Sequence, residues 1–164
     1  MSDLSPAQES VLKFLESTEA DQLAFAKELI RTPSPNPPGD ERAVASLVTA
    51  RLADLGVTDV RSVGSEETRP NLIVRIPGPR TGRNLMLSGH LDTKPAGDMA
   101  AWMTDPWDPV EQGDQLVGLG SGDMKAAVAA MVYAGAAVAQ AGEFSGELQL
   151  VFTADEEAGS IKGS

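Results

Sequence analysis

The feature that most constrains this chain is an alanine-rich run, Ala126–Ala141, standing between a cluster of glycines and the apolar stretch Leu148-Gln149-Leu150-Val151-Phe152. A helix that is apolar on every side has to be buried in a core. This one is shorter than the ~20 residues needed to cross a bilayer. Its sequence predicts a buried helix from about Met124 to Gln140, with strands at Gln115–Val117 before it and Glu147–Thr153 after it. Strand, helix, strand over this length specifies a crossover unit in an α/β sheet.

Upstream, Thr18 is placed to cap a helix running to Arg31, with Leu23, Ala26, Leu29 and Ile30 on one face. Pro33-Ser34-Pro35-Asn36-Pro37-Pro38 stops that helix and reads as punctuation within one domain. A second helix is expected from Asp40 to Asp54, where Val44, Leu47, Val48, Leu52 and Leu55 recur at helical spacing and Gly56 supplies a stop. Strands follow at Thr58–Val63, Asn71–Ile76 and Asn84–Ser88, and the turn-rich Pro77–Gly82 predicts that the last two form a hairpin. The loop through Trp102, Trp107 and Pro109 reads as tryptophans packed on the sheet.

A chain of 164 residues is long enough for one ordinary domain, and 41% hydrophobic with 23% charged residues is the balance of a packed globular chain. The formal net charge of −11 argues against nucleic acid and against an anionic membrane surface, both of which need clustered Lys and Arg. Cysteine is absent, so any metal must be held by oxygen or imidazole. The first residues, Met1 to Pro6, carry neither the basic nor the apolar region of a secretory signal, which predicts a cytoplasmic address.

Three clusters carry candidate chemistry. The single histidine, His90, follows the apolar Leu85-Met86-Leu87, and Asp92 two residues on can accept the second N–H of the imidazole and turn its other nitrogen toward a metal. On its own, His-x-Asp reads as well as a loop histidine beside a capping aspartate. The turn Gly118-Leu119-Gly120-Ser121-Gly122-Asp123 puts an aspartate at the mouth of the alanine-rich helix. Asp123 can be a ligand or merely cap the helix. A phosphate loop fits less well, because a carboxylate there takes the end of the helix dipole that a phosphate would want. The third cluster, Asp155-Glu156-Glu157, follows the last apolar strand. Acid runs are usually solvated turns, but these lie at a strand end where Glu156 and Glu157 can take different roles. One imidazole and several carboxylates suit a pair of zinc, manganese or cobalt ions, with a nearby glutamate to take a proton from water, and that is the chemistry of amide hydrolysis.

In this order and separation the clusters resemble the metallopeptidase family that includes succinyl-diaminopimelate desuccinylase, acetylornithine deacetylase, aminoacylase and carboxypeptidase G. Its Ser-Gly-His-x-Asp-x-x-Pro segment matches Ser88 to Pro95, its Gly-x-Gly-x-x-Asp-Met-Lys segment matches Gly118 to Lys125, and its Glu-Glu-x-Gly-Ser segment matches Glu156 to Ser160. The resemblance implies a zinc-exopeptidase-like α/β catalytic domain, with a mixed, largely parallel sheet flanked by helices. It implies that His90 ligates one metal, Asp123 bridges two, Glu157 ligates the other, Glu156 is the general base and Asp92 orients His90. Asp123-Met124 would be a cis peptide. The implied cofactors are two divalent ions, zinc first with cobalt or manganese as alternatives. The implied substrate is an N-acylated amino acid or small peptide, and the full-length protein could be a homodimer.

Small departures, Lys94, Leu119 and Ala126-Ala127, remove no ligand. The larger one is length, since family members continue about as long again and supply another acidic ligand, a second metal-binding histidine and a lid domain. Two four-coordinate ions sharing one aspartate and one water need four terminal protein ligands, and His90 and Glu157 fill two. Residues 1–164 are therefore expected to form the amino-terminal part of a catalytic domain, with little activity alone. The competing expectation is a non-enzymatic product that binds metal weakly or serves as an interaction module.

Overall fold

A computed structural model describes residues 4–163. It opens with a helix absent from the sequence reading, α1 (Pro6–Ser17). The Ser5 hydroxyl accepts from the Gln8 amide while the Gln8 side chain accepts from the Ser5 amide, a reciprocal cap with proline at the first helical turn. Helix α2 (Glu19–Arg31) follows directly. Thr18 sits at its cap position, but its hydroxyl donates back to the Phe14 carbonyl at 2.8 Å and so closes α1 instead of capping α2. Helix α3 (Arg42–Asp54) buries Val44, Ala45, Val48 and Leu52, the face its spacing predicts.

The strands are β1 (Val60–Val63), β2 (Asn71–Pro77), β3 (Leu85–His90), β4 (Val110–Gln112), β5 (Gln115–Val117) and, after helix α4 (Ala126–Ala141), β6 (Glu147–Thr153). The main sheet has the order β1-β2-β6-β3. An α/β fold with a mixed sheet and flanking helices is as expected, but the balance differs. The β1–β2 and β2–β6 pairs are antiparallel and only β3–β6 is parallel, so within the described residues the sheet is not largely parallel.

The expected hairpin of the second and third strands does not form, because β6 lies between them. Leu72, Val74 and Ile76 of β2 stand opposite Phe152, Leu150 and Leu148 of β6, all six buried. That register merges two apolar faces into one, which a β2–β3 hairpin would not do, since Leu85 and Met86 are exposed. The turn-rich connection is instead laced to the start of β6: Gly78 donates its N–H to the Gly146 carbonyl, and Gly146 donates to Arg80. Residues Gln115–Val117 are a strand, but they pair with β4 in a separate ribbon. The parallel crossover therefore begins at β3 and returns through α4 to β6.

Helices α2, α3 and α4 share one core with the sheet, built from Phe25, Leu29, Val48, Leu52, Val132, Tyr133, Leu150 and Phe152. By length and composition the helical run Ser121–Ala141 could cross a membrane, but half of its apolar window is buried in the fold, and a break at Asp123 and Met124 leaves Ala126–Ala141 as the regular α-helix. Gly135 lets α4 approach the sheet, for a Cβ there would fall 2.8 Å from Leu150 Cδ1 and 3.1 Å from Ile76 Cδ1. A branched side chain has no room at that contact. Gly135→Val is expected to destabilise the chain by about 1–3 kcal/mol in urea unfolding; an unchanged midpoint would mean that helix and sheet are not in close contact there.

Candidate metal centre

Parallel pairing puts the carboxyl ends of β3 and β6 side by side, with His90 opposite Thr153. Such ends are where sites form on α/β sheets. The chain after Thr153 turns through Asp155, a non-glycine residue with φ 64°, into a short helical turn at Glu156–Ala158. Asp123 arrives from the opposite side on the irregular turn Ser121–Lys125, whose Asp123-Met124 peptide is cis. Gly120 has φ 77°, and a Cβ there would lie 2.6 Å from Thr93 Cγ2, so the glycine turn packs on protein and not around a phosphate.

Lys125 anchors this turn. Its side chain is buried, and its ammonium donates to the Leu29 carbonyl at 2.7 Å and the Thr32 carbonyl at 2.5 Å, tying the last turn of α2 to the start of α4. Burial pulls its pKa down to about 7.

The three clusters meet. Ligand atoms of His90, Asp123 and Glu157 all lie within 4.8 Å of one another. His90 Nε2 is 2.9 Å from Asp123 Oδ1 and 3.8 Å from Glu156 Oε2. On the other side of the ring, Nδ1 is 3.0 Å from the Asp92 carbonyl and 3.5 Å from its carboxylate. A carbonyl only accepts, so Nδ1 carries a proton and donates it to that carbonyl. Nε2 then faces the Asp123 carboxylate with a lone pair, and two acceptors at that distance need a cation between them, either a proton or a metal. Burial works against an imidazolium, but Asp92 and Asp123 outweigh it and raise the His90 pKa to about 9.

Asp92 does more than face the ring. Its carboxylate is fully buried and accepts the backbone N–H of Glu156 at 3.2 Å, the N–H of Glu157 at 3.0 Å and the side-chain N–H of Asn36 at 2.8 Å. Burial alone would raise its pKa, yet the donors from His90, Asn36 and Glu157 hold it down at about 2. One aspartate thus touches the imidazole through its carbonyl and the Glu156-Glu157 turn through its carboxylate.

Several residues here were missed in the sequence. Asn36, in the proline run, bridges Asp92 and Asp155, and Arg69 holds Asn36 and Glu41 from behind. Glu41 is fully buried, and this raises its pKa to about 6 against the pull of Arg69. Lys94, at the rim, pairs with the Glu157 carboxylate at 3.2 Å and also contacts the Glu157 carbonyl. A polar residue flanked by prolines was the available signal for Asn36; Arg69 and Glu41 had none in spacing. Trp102 donates to the Ala96 carbonyl within its own loop and joins none of these contacts.

Residues 86–164 match the sequence model of the family described as peptidase family M20/M25/M40. The succinyl-diaminopimelate desuccinylase of Methylocella silvestris is 35% identical over 144 residues, which is 85% of this chain and 36% of that protein. The enzyme of the same name from Parvibaculum lavamentivorans is 37% identical over 147 residues, 88% of this chain and 36% of that protein. The chain therefore spans about 36% of the length of these curated relatives. Among solved structures, human carnosine dipeptidase 1 superposes with a TM-score of 0.77 at 20% identity, covering 98% of this chain and 37% of that one. An M20 family metallo-carboxypeptidase from Sulfolobus solfataricus gives 0.72 at 19% identity, covering 85% and 32%. At those identities the structural likeness establishes the fold.

The Asp92 contacts have a measurable pH signature. Its folded pKa lies below the ordinary value of 3.8, so the stability it contributes is complete above about pH 4 and is lost as pH falls toward 2. In urea unfolding with chelator present, Asp92→Ala should cost about 2 kcal/mol at pH 6, and the gap to the parent protein should close on acidification. A gap independent of pH would mean that Asp92 acts by packing alone.

Proposed function

Because this chain belongs to peptidase family M20/M25/M40, we propose that it supplies part of the metal-binding catalytic domain of a hydrolase that cleaves an amide bond in an N-acylated amino acid or small peptide. The observation that carries this reading is the convergence of one imidazole nitrogen and two carboxylates from three separate segments within 4.8 Å.

The donor set fits a divalent cation. It is all nitrogen and oxygen, and with Nδ1 donating to the Asp92 carbonyl the Nε2 side of the imidazole faces Asp123, where a metal would take the place of the proton. In this proposal His90, Asp123 and Glu157 would hold two ions, zinc first, with His90 on one, Glu157 on the other and Asp123 shared between them. Bound divalent ions would polarise the scissile carbonyl and acidify a water. Glu156 would take that water's proton and pass it to the leaving nitrogen. Its side chain is about half exposed beside the cluster, open to an incoming substrate, while Glu157 is largely buried. The same two neighbours therefore take separate tasks, one facing substrate and one held against the site.

Three ligating side chains are fewer than two closed coordination shells require. These 164 residues by themselves are accordingly proposed to bind metal weakly and to turn over little. The desuccinylase relatives support an acyl group bearing its own carboxylate as a substrate to try first. Nothing in the site favours a purely non-enzymatic role.

Zinc titration against a competing chelator tests the centre. His90→Ala should weaken zinc more than about 100-fold, whereas Lys94→Thr, which frees the Glu157 carboxylate, should tighten it by a few-fold, the scale of an exposed ion pair. Unchanged affinity in His90→Ala would refute the site. In a protein of its relatives' full length that carries these residues, Glu156→Gln should lower kcat by about 10²–10⁴ with zinc affinity kept; undiminished turnover of N-succinyl amino acids and dipeptides would remove Glu156 from the proton-transfer role.

A further inference from the structure

Beneath the candidate centre lies a buried polar unit, Asn36, Arg69 and Glu41, with no part in the chemistry just described. Asn36 is 1% exposed, and its one amide nitrogen donates both hydrogens to carboxylates, Asp92 Oδ2 at 2.8 Å and Asp155 Oδ1 at 3.0 Å. Its carbonyl oxygen accepts from Arg69 at 3.2 Å. Arg69 in turn donates to the Pro38 carbonyl at 2.9 Å and to the buried Glu41 at 2.8 Å. The backbone of the proline loop is pinned as well: Asn36 donates its N–H to the Thr93 carbonyl, Thr93 donates to the Ser34 carbonyl, and the Ser34 hydroxyl donates to the Leu91 carbonyl at 2.7 Å.

The two carboxylates that Asn36 joins hold the two ends of one turn. Asp92 accepts from the amides of Glu156 and Glu157, and Asp155 accepts from the amides of Ile161 and Lys162 at 3.1 Å each. Without a donor between them, Asp92 and Asp155 would be two buried negative charges repelling each other across the site. A neutral amide with two hydrogens satisfies both and fixes their separation. We propose that Asn36, held by Arg69 and Glu41, is a positioning residue that sets the geometry of the Glu156-Glu157 turn relative to His90. This rests on the metal-centre reading for its functional consequence, but its structural consequence can be measured with no metal present.

Two readouts separate the claims. Amide hydrogen exchange in chelator reports the turn directly: Asn36→Ala should accelerate exchange at Glu156, Glu157, Ile161 and Lys162 by about 10-fold or more, with amides of the α4 core unchanged. Zinc competition and the visible absorption of the cobalt-loaded chain report the site. Asn36→Ala should weaken zinc by about 10–100-fold, the scale for residues that orient ligands, and shift the cobalt bands, and in Asn36→Ala/Asp92→Ala the two losses should not add. Should Asn36→Ala fail to fold, Arg69→Gln, which leaves Asn36 and both carboxylates in place, should give the same local acceleration to a smaller degree. Exchange at Glu156 and Glu157 unchanged in the folded variants would overturn the proposal. Faster exchange with zinc affinity and cobalt spectrum unaltered would overturn its functional half. Failure of the parent protein to bind zinc through His90 would count against the metal-centre reading alone.

Discussion

The parallel register of β3 and β6 is the constraint from which the rest of the structure follows. Pairing Leu85 with Leu148 at one end places His90 beside Thr153 at the other, so the imidazole and the acid turn leave the sheet at the same point. A parallel pair requires a long crossover connection, most commonly a helix. Helix α4 fills that role, and the irregular turn at its start carries Asp123 over the strand ends. A slip of one residue between β3 and β6 would turn His90 to the opposite face of the sheet and dissolve the cluster.

Burial and charge are in tension below this point. Asp92, Asp155 and Glu41 are buried carboxylates, and among the described residues Arg69 is the guanidinium set against them. Burying such groups is costly unless each is hydrogen-bonded. Donors meet most of that cost: two backbone amides and Asn36 on Asp92, two backbone amides and Asn36 on Asp155, and Arg69 on one oxygen of Glu41, whose Oε2 is left without a hydrogen-bond partner among the described residues. The result is a rigid floor under a rim where Asp123 and Glu156 remain open to solvent, with Lys94 as a counter-charge beside Glu157.

Much of this was legible in the residues, and the exceptions have physical causes. Periodicity located α2 and α3, which carry an apolar face against the core, and continuous apolar runs located α4 and β6, which are largely buried. The helix at Pro6–Ser17 was overlooked although Ser5, Pro6 and Gln8 spell a cap; it has no buried residue, so hydrophobic spacing gave little sign of it. The mistaken hairpin arose because turn chemistry between Pro77 and Gly82 is local, whereas the partner of β2 is decided by which distant strand completes its buried face. At the centre, His90, Asp92, Asp123, Glu156 and Glu157 could be singled out because each follows a strand or a glycine turn. Arg69 could not, and Asn36 offered only its place between prolines, since its partners lie as far as 119 residues away in sequence and are set by tertiary folding.

The central claim is that three strand-end segments converge to hold a divalent cation. Anomalous X-ray diffraction at the zinc edge, on crystals of the zinc-loaded chain, tests it most directly. The account predicts anomalous density within bonding distance of His90 Nε2 and of carboxylate oxygens from Asp123 or Glu157. Zinc located on other residues, with His90 still hydrogen-bonded to Asp123, would contradict it.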